Sequence, residues 1–123
     1  MKRFSRAVVA AICDGKILGI RAGVAPHRII GIWAVVVDDR VFVRSWSLKP
    51  RSWWRTFQED PRGIIEVGSR EIRVRASLTK SERIKDAVSQ AYLAKYNTPG
   101  SLKYAKDLGR PKSRKTTTEL VPR

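Results

Sequence analysis

Alternating and continuous runs of apolar residues predict short β-strands in the first half of the chain. Residues 16–21 (KILGIR) alternate apolar with other residues. Residues 29–37 (IIGIWAVVV) are nearly all apolar and mostly β-branched, which is typical of a strand buried on both faces. Asp38 and Asp39 supply a turn, after which residues 41–46 (VFVRSW) return as a partner strand. We therefore predict a central hairpin, with Val36 buried inside it.

A second hairpin is predicted between residues 64 and 77. One arm is residues 64–67, Gly68 lies in the turn, and the other arm is residues 71–77 (EIRVRAS). In that arm apolar residues alternate strictly with charged or polar ones, so one face of the strand is wet or meets an anionic partner.

Helices are predicted around these strands. Residues 3–13 carry apolar side chains at helical spacing, and Ser52 is a suitable N-cap for a short helical turn over residues 53–59. Thr79 and Glu82 have the spacing of a capping box at a helix N-terminus, which predicts a helix that runs to about residue 96. A short helix is predicted to follow over residues 101–108. Five strands joined by hairpins are too few for a sandwich of two good sheets. The pattern therefore predicts a mainly β, α+β fold: a small, partly open antiparallel barrel of five or six strands with flanking helices.

Length and charge set the domain organisation. A chain of 123 residues corresponds to one domain, which we place at residues 1–109 with N- and C-terminal helices, followed by a basic C-terminal tail over residues 110–123. The formal net charge is +15, yet 42% of the residues are hydrophobic, which excludes a fully disordered polycation. The longest apolar run is far shorter than the roughly 20 residues of a membrane-spanning helix, and no secretory signal is visible. We expect a cytoplasmic protein with no membrane partner.

The composition also restricts the chemistry. One cysteine, Cys13, allows no internal disulfide, and one histidine, His27, allows no two-histidine metal site in a single chain, so we expect no metal. Motifs of phosphate-binding loops, nucleophile elbows and dinucleotide folds are also missing. No catalytic residue is therefore assigned, and if the protein is an enzyme, a cofactor carries the reaction.

The central hairpin resembles an uncharacterised bacterial family, domain of unknown function 2255 (DUF2255). The resemblance lies in residues 27–46, in the turn Trp53–Trp54–Arg55, in the hairpin of residues 68–75, in the helix end at residues 91–96 and in the C-terminal residues 116–123. It covers nearly the whole chain, and it implies no established activity.

A more distant resemblance links the chain to split-barrel flavin and deazaflavin proteins of the pyridoxamine-phosphate-oxidase-like type. It rests on residues 53–57 (WWRTF), 59–61 (EDP), 65–68 (IEVG) and 73–75 (RVR), whereas the R-K-S-G stretch of the deazaflavin proteins is missing. The resemblance implies an FMN-binding split-barrel-like fold and a homodimer with the flavin in its interface. FMN, deazaflavin, haem and an empty pocket all stay open as alternatives.

The residues themselves suggest one ligand site. Period-two alternation puts Arg44 and Trp46 on one face of their strand, opposite Val41 and Val43, and if the valines face the barrel core, the arginine faces an outer groove. An arginine fork suits a phosphate and an indole suits a flat ring. We predict a site for a small flat phosphorylated ligand, with FMN or deazaflavin as its cofactor, built from Arg21, His27, Arg28, Arg44, Ser45, Trp46, Trp53 and Trp54. The simpler interpretation is that the arginines are solvated and that one of the adjacent tryptophans plugs the barrel end.

Two other function classes remain open. A pI of about 11.0 is expected of a protein that binds nucleic acid or another polyanion through its phosphates, without sequence specificity. Basic residues between 103 and 115 would contribute most to this binding. The third class is a structural or interaction barrel without a small ligand.

Overall fold

The computed structural model describes residues 3–25 and 28–123. Within these residues it contains seven strands and five helices. The strands are β1 (Leu18–Ala22), β2 (Ile30–Ile32), β3 (Ala34–Val37), β4 (Arg40–Val43), β5 (Arg62–Val67), β6 (Arg70–Leu78) and β7 (Thr118–Pro122). The helices are α1 (Arg6–Asp14), α2 (Trp53–Glu59), α3 (Glu82–Lys95), α4 (Leu102–Asp107) and α5 (Pro111–Arg114). None of the helices in these two ranges is long and apolar enough to cross a membrane.

The strands form one antiparallel sheet in the order β2-β1-β5-β6-β7-β4-β3. Its two edge strands, β2 and β3, are neighbours in the chain and are separated only by Trp33. The chain thus pairs with β1 before Trp33 and with β4 after it. Because one stretch of chain supplies both edges, the sheet curls into a nearly closed barrel with little exposed edge. The predicted mainly β split barrel with flanking helices is confirmed.

The prediction of one strand over residues 29–37, buried on both faces, is wrong. The stretch divides at Trp33, where it changes partner, and Ile30 in β2 is 38% exposed because this short edge strand has only one neighbour. Val36 is only half-buried. The most buried strand is β4, in which Val41, Phe42 and Val43 are all fully buried. Asp38 and Asp39 both have positive φ, as the tight primed turn of a two-residue hairpin requires.

The C-terminal residues belong to the barrel, which corrects the predicted basic tail and raises the strand count to seven. Residues 111–114 form α5, and β7 pairs with β4 on one side and with β6 on the other. Leu120 of β7 is buried in the barrel interior. β7 is therefore a central strand, and Pro122 is tolerated because it lies at the end of that strand.

Two apolar clusters hold the fold together. The barrel interior contains side chains of α1 and of the strands, among them Ile20, Val41 and Ile65. The second cluster lies on the outer face of β3 and β4, where Val35 and Phe42 pack against side chains of α3 and α4 such as Val88 and Leu108. This second cluster decides the surroundings of the predicted site.

The helix starts agree with the sequence at α2 but not at α3. The Ser52 hydroxyl accepts a hydrogen bond from the Arg55 backbone N–H at 3.3 Å, as predicted for the cap of α2. At α3 the N-cap is Ser81, whose hydroxyl accepts from the Ile84 backbone N–H at 3.2 Å, rather than the predicted Thr79. Thr79 instead donates its backbone N–H to the carbonyl of Thr117, so it belongs to the connection with β7.

Candidate functional site

Arg44 lies just beyond β4 and is buried beneath α3, with only 2% of its surface exposed. Its Nε donates to the Thr117 hydroxyl at 2.8 Å, and its Nη2 donates to the Lys85 carbonyl at 2.7 Å. Its Nη1 donates both to the Ser89 hydroxyl at 2.7 Å and to the Leu108 carbonyl at 3.0 Å. The guanidinium therefore ties α3, the end of α4 and the threonines before β7 to the barrel.

Burial of this cation has an electrostatic consequence. The pKa of Arg44 is lowered to about 10, mainly by desolvation and to a smaller extent by the nearby Arg114, while Tyr92 and Asp86 oppose the shift. The four hydrogen bonds are all to neutral oxygens. Arg44 is thus a desolvated cation held by hydroxyl and carbonyl dipoles, and it remains charged at neutral pH.

Two tyrosines of α3 complete the packing above β4. The Tyr92 hydroxyl accepts from the Arg44 backbone N–H at 3.1 Å and donates to the Trp33 carbonyl at 2.9 Å. The Tyr96 hydroxyl donates to the Lys16 carbonyl at 2.6 Å. Burial raises the pKa of Tyr92 and raises that of Tyr96 to about 12.

The prediction that Arg44 and Ser45 line an open groove is wrong. The alternation itself is right, because Val41 and Val43 face the barrel interior and Phe42 faces outward. The outer face, however, is covered by α3, so the side chains on it are buried instead of exposed to a ligand. Ser45 is buried as well: its backbone N–H donates to the Thr116 hydroxyl at 2.9 Å and its own hydroxyl donates to the Ser47 carbonyl at 2.6 Å.

Arg28 and Trp53 do share a cavity, which we call the basic cleft. It has a volume of about 330 Å³ and lies where α2 meets β1 and β2. Its lining residues are Ile20, Ala22, Arg28, Ile30, Pro50, Arg51, Trp53 and Thr56. Two exposed guanidiniums and a half-buried indole thus face one cavity, and no described lining residue is acidic.

The other predicted residues lie apart from this cleft. Trp54 is buried, as expected of one of the two tryptophans, and Arg21 projects from β1 on the face opposite the buried Ile20 and Ala22. Within residues 3–25 and 28–123, neither the Trp54 indole N–H nor the buried Nε of Arg21 has a hydrogen-bond partner. His27 lies outside the described residues. The single predicted site is therefore divided among separate places.

Trp46 lines a second cavity, shallow and largely open to solvent, which we call the aromatic corner and which has a volume of about 410 Å³. Its lining residues are Trp33, Trp46, Tyr104 and Asp107. The planes of the two indoles meet at 67° with centroids 5.2 Å apart, and the Tyr104 ring stands at 83° to Trp46 at 6.3 Å. The corner therefore presents three rings at steep angles and one carboxylate.

Sequence reasoning missed Arg51 in the cleft, and Trp33, Tyr104 and Asp107 in the corner. Arg51 lies two residues before Trp53, in the segment 49–52 that precedes α2, so its closeness to Trp53 could have been inferred. No local signal links Tyr104 to Trp33, because the two residues are far apart in the sequence and α4 brings them together. In the described ranges no group of three side chains of His, Cys, Asp or Glu is placed to hold a metal ion.

Two solved structures are similar to this fold. A putative pyridoxamine 5'-phosphate oxidase from Listeria innocua aligns with a TM-score of 0.62 and 13% identity over 94% of this chain and 90% of its own. A conserved hypothetical protein from Mycobacterium tuberculosis aligns with a TM-score of 0.59 and 13% identity over 97% of this chain and 79% of its own. At such low identity the likeness establishes the fold alone, and it confirms the split barrel of the pyridoxamine-phosphate-oxidase-like type.

Sequence comparison identifies the family. No curated protein matches the chain. The model of the uncharacterised proteins conserved in bacteria, DUF2255, matches residues 7–120, which include the central hairpin, the adjacent tryptophans and most of β7. The match confirms the resemblance seen in the sequence, and the chain belongs to the DUF2255 family.

Proposed function

We propose that this protein binds a flavin-type cofactor, FMN or a phosphorylated deazaflavin, in the basic cleft. One observation carries the proposal: Arg28, Arg51 and Trp53 face the same cavity, and no described carboxylate lines it. A guanidinium fork binds a terminal phosphate through two parallel hydrogen bonds, and an indole offers its face to a planar ring. The donor set therefore fits a flat ligand that carries a phosphate.

The two arginines differ from Arg44 in being free to bind. Both are exposed, and neither side chain makes a hydrogen bond or ion pair in the described part of the chain. The Trp53 ring is held in place by an edge contact with Phe57, with centroids 6.0 Å apart and planes at 79°. The fixed Trp53 ring provides a surface for stacking, and the two free guanidiniums provide donors for a phosphate. Because the ring is already ordered, it loses little conformational entropy on binding.

The size of the cleft points to a second copy of the chain. A volume of about 330 Å³ lies at the small end of ligand sites, which hold roughly 300–1,000 Å³. Ile17, Val24 and Ile30 are large exposed apolar residues in and around the β1–β2 hairpin, and Ile30 also lines the cleft. We infer a homodimer in which these residues of the hairpin meet the partner and enclose the ligand.

The bound flavin would supply hydride or electron transfer, which would make the protein a flavin- or deazaflavin-dependent oxidoreductase. The residues of the chain would bind the phosphate, orient the ring and keep positive charge near it. No carboxylate or other acid–base pair lines the described part of the cleft, so the chain's own contribution is binding and orientation.

Calorimetric titration with FMN and with a phosphorylated deazaflavin tests the proposal. We expect saturable binding to one of them at micromolar concentration, and at least about tenfold weaker binding by riboflavin, which lacks the phosphate. The double variant Arg28→Gln/Arg51→Gln should lose at least about tenfold in affinity. Its matched control, Arg70→Gln/Arg73→Gln, removes two exposed arginines of β6 and should bind like the parent.

The absence of saturable binding to either phosphorylated ligand, or equal losses in both double variants, would contradict the proposal. Sedimentation or light scattering tests the dimer separately. A monomer that still binds flavin would contradict the proposed homodimer but not the proposed binding of flavin in the basic cleft.

A second function, salt-dependent binding to polyanions, is favoured by the basic surface near the C-terminus. The exposed basic residues there are Lys103, Lys106, Arg110, Lys112 and Lys115. Arg114 is not available in the same way, because it is bound to Glu82 at 2.7 Å and to Asp86 at 2.6 Å. We propose that this surface binds phosphate backbones without sequence specificity.

Charge removal tests this second function better than truncation, because deleting residues 110–123 would remove the central strand β7. The triple variant Lys106→Gln/Lys112→Gln/Lys115→Gln should lower the salt dependence of duplex DNA binding by about two to three counterions. The control Lys16→Gln/Lys49→Gln/Lys80→Gln removes the same charge from scattered exposed positions. Equal losses in both variants would leave only a general effect of net charge.

A further inference from the structure

The aromatic corner lies outside the basic cleft and has the opposite electrostatic character. Trp33, Trp46 and Tyr104 offer their rings, and the fourth lining residue, Asp107, offers a carboxylate. An aromatic face carries negative charge density from its quadrupole and the ring edge carries positive charge density, so the rings attract a cation through their faces and Asp107 attracts one through its charge. No described lining residue of the corner is basic, although the chain as a whole carries a net charge of +15.

The fold holds these rings in place. Trp33 occupies the bend between β2 and β3, and its ring stacks on Tyr96 with centroids 3.9 Å apart and planes at 4°. Its carbonyl also accepts the Tyr92 hydroxyl. Trp46 follows the buried Arg44 and Ser45, and Tyr104 is carried by α4, which the buried Ala105 anchors. The corner is therefore preorganised, which reduces the entropy that a ligand would lose on binding.

Steep angles between the rings favour a compact, rounded cation over a flat ligand. Planes at 67° and 83° set Trp46 across both of its neighbours, so a planar ring cannot stack on Trp46 and on Trp33 or Tyr104 at the same time. A trimethylammonium group is nearly spherical, carries its charge over several methyl groups and loses little hydration on burial. The exposed Tyr104 ring already has a cation close to it, since the Lys103 ammonium lies 5.0 Å from its centroid.

The carboxylate of Asp107 is only weakly engaged. Arg110 approaches it at 3.4 Å, but the Arg110 side chain is 78% exposed, and exposed pairs of this kind contribute little. A ligand cation that enters the corner can therefore compete for this carboxylate.

We propose that the aromatic corner binds a small quaternary ammonium compound through its trimethylammonium group. The net charge of +15 favours a ligand with a single positive charge, because it repels a peptide that carries several positive charges far more strongly. A free trimethylammonium compound is thus the expected occupant, rather than a methylated lysine in a basic protein segment. The inference is independent of the flavin proposal, because the two cavities share no residue.

Titration with choline and with 3,3-dimethyl-1-butanol, its neutral isostere, tests the charge requirement. The probes have the same shape and differ in the central atom, so a cation site should prefer choline by at least about tenfold, whereas an apolar pocket would bind both equally. Changes in the indole N–H resonances of Trp33 and Trp46 report binding directly. Equal affinities, or no saturable change at tens of millimolar choline, would overturn the proposal.

Variants at Tyr104 and Asp107 locate the site. Tyr104→Ala removes one exposed ring and should weaken choline binding at least about fivefold, while Tyr104→Phe keeps the ring and should bind like the parent. Asp107→Asn should weaken the binding of choline but not that of the neutral isostere. Lys103→Gln is the control on the same helix: it removes a competing cation and should leave the affinity unchanged or higher.

Two outcomes of these measurements would contradict the assignment. A loss in Lys103→Gln equal to that in Tyr104→Ala would mean that binding depends only on the integrity of α4. A trimethyl-lysine peptide that binds more tightly than choline would overturn the small-ligand proposal in favour of a protein partner. Melting temperatures of all four variants show that they remain folded.

Discussion

Arg44 and Arg28 carry the same guanidinium group in opposite surroundings. Arg44 is 2% exposed and donates four hydrogen bonds to neutral oxygens of α3, α4 and the segment before β7. Arg28 is exposed at the rim of the basic cleft, and its side chain has no hydrogen-bond partner in the described part of the chain. The donors of Arg44 are bound within the fold, whereas those of Arg28 have no protein partner in the described part of the chain.

The difference teaches that an arginine at the end of a strand can be structural even where no acidic partner binds it. A buried cation costs several kcal/mol unless its donors are satisfied, and here carbonyl and hydroxyl oxygens satisfy them. The site for an anion must therefore be sought where guanidiniums remain free. The basic cleft offers such guanidiniums in Arg28 and Arg51, which is why the proposed flavin site lies there.

The largest expected effect is on stability at Arg44. Arg44→Met should lower the free energy of unfolding by about 2–4 kcal/mol, because it leaves four buried or partly buried oxygens without their donor, partly offset by removal of a desolvated charge. Arg28→Met should change the same quantity by less than about 0.5 kcal/mol. Urea unfolding of both variants measures the difference. Equal stabilities would mean that the network around Arg44 contributes nothing net.

The second-largest effect is expected at alkaline pH, where the region around Arg44 should lose stability. The pKa of Tyr96 is raised to about 12 in the folded protein, above its ordinary value of about 10. A raised folded pKa gives stability that is fully present below pH 10 and is lost as the pH rises through 12. The stability advantage of the parent over Tyr96→Phe should therefore shrink by about 1–3 kcal/mol between pH 9 and pH 12.

This comparison isolates one group. The lowered pKa of Arg44 acts in the opposite direction over the same pH range, but Arg44 is present in both proteins and cancels from the difference. Tyr104→Phe is the control, because Tyr104 is 49% exposed. The prediction fails if the advantage of the parent over Tyr96→Phe is the same at both pH values.

Local patterns in the sequence were sufficient to predict most elements of the fold. The alternation in residues 71–77 reproduces β6, in which Val74 is buried and Arg73 and Arg75 are exposed, and Ser52 caps α2 as expected. Apolar spacing likewise predicted α1, and the box of Thr79 and Glu82 predicted α3 although its N-cap is Ser81. These features depend on neighbours a few residues apart, so they are readable from one stretch of chain.

What could not be predicted depends on contacts between distant segments. Nothing near Trp33 shows that the chain changes strand partner there, and nothing near Leu120 shows that β7 enters the middle of the sheet. The prediction of an open groove at Arg44 was wrong for the same reason. The period-two alternation placed Arg44 on the outer face, but only the docking of α3 decides whether that face is open. Arg28 and Trp53, two of the eight predicted site residues, line one cavity, whereas their neighbour Arg51 was missed.

The smallest expected effect concerns a single partner of Arg44. Ser89 of α3 accepts from Arg44 Nη1 at 2.7 Å, so Ser89→Ala leaves one buried N–H of a cation unbonded. Such a loss costs about 1–3 kcal/mol, and the better helix propensity of alanine returns a few tenths of that. A decrease of about 1 kcal/mol in the free energy of unfolding is therefore expected.

Gln90→Ala is the control on the same helix, since Gln90 is exposed, and it should be neutral or slightly stabilising. If Ser89→Ala behaves like Gln90→Ala, the remaining three acceptors satisfy Arg44, and its difference from Arg28 lies in burial rather than in the completeness of its hydrogen bonds.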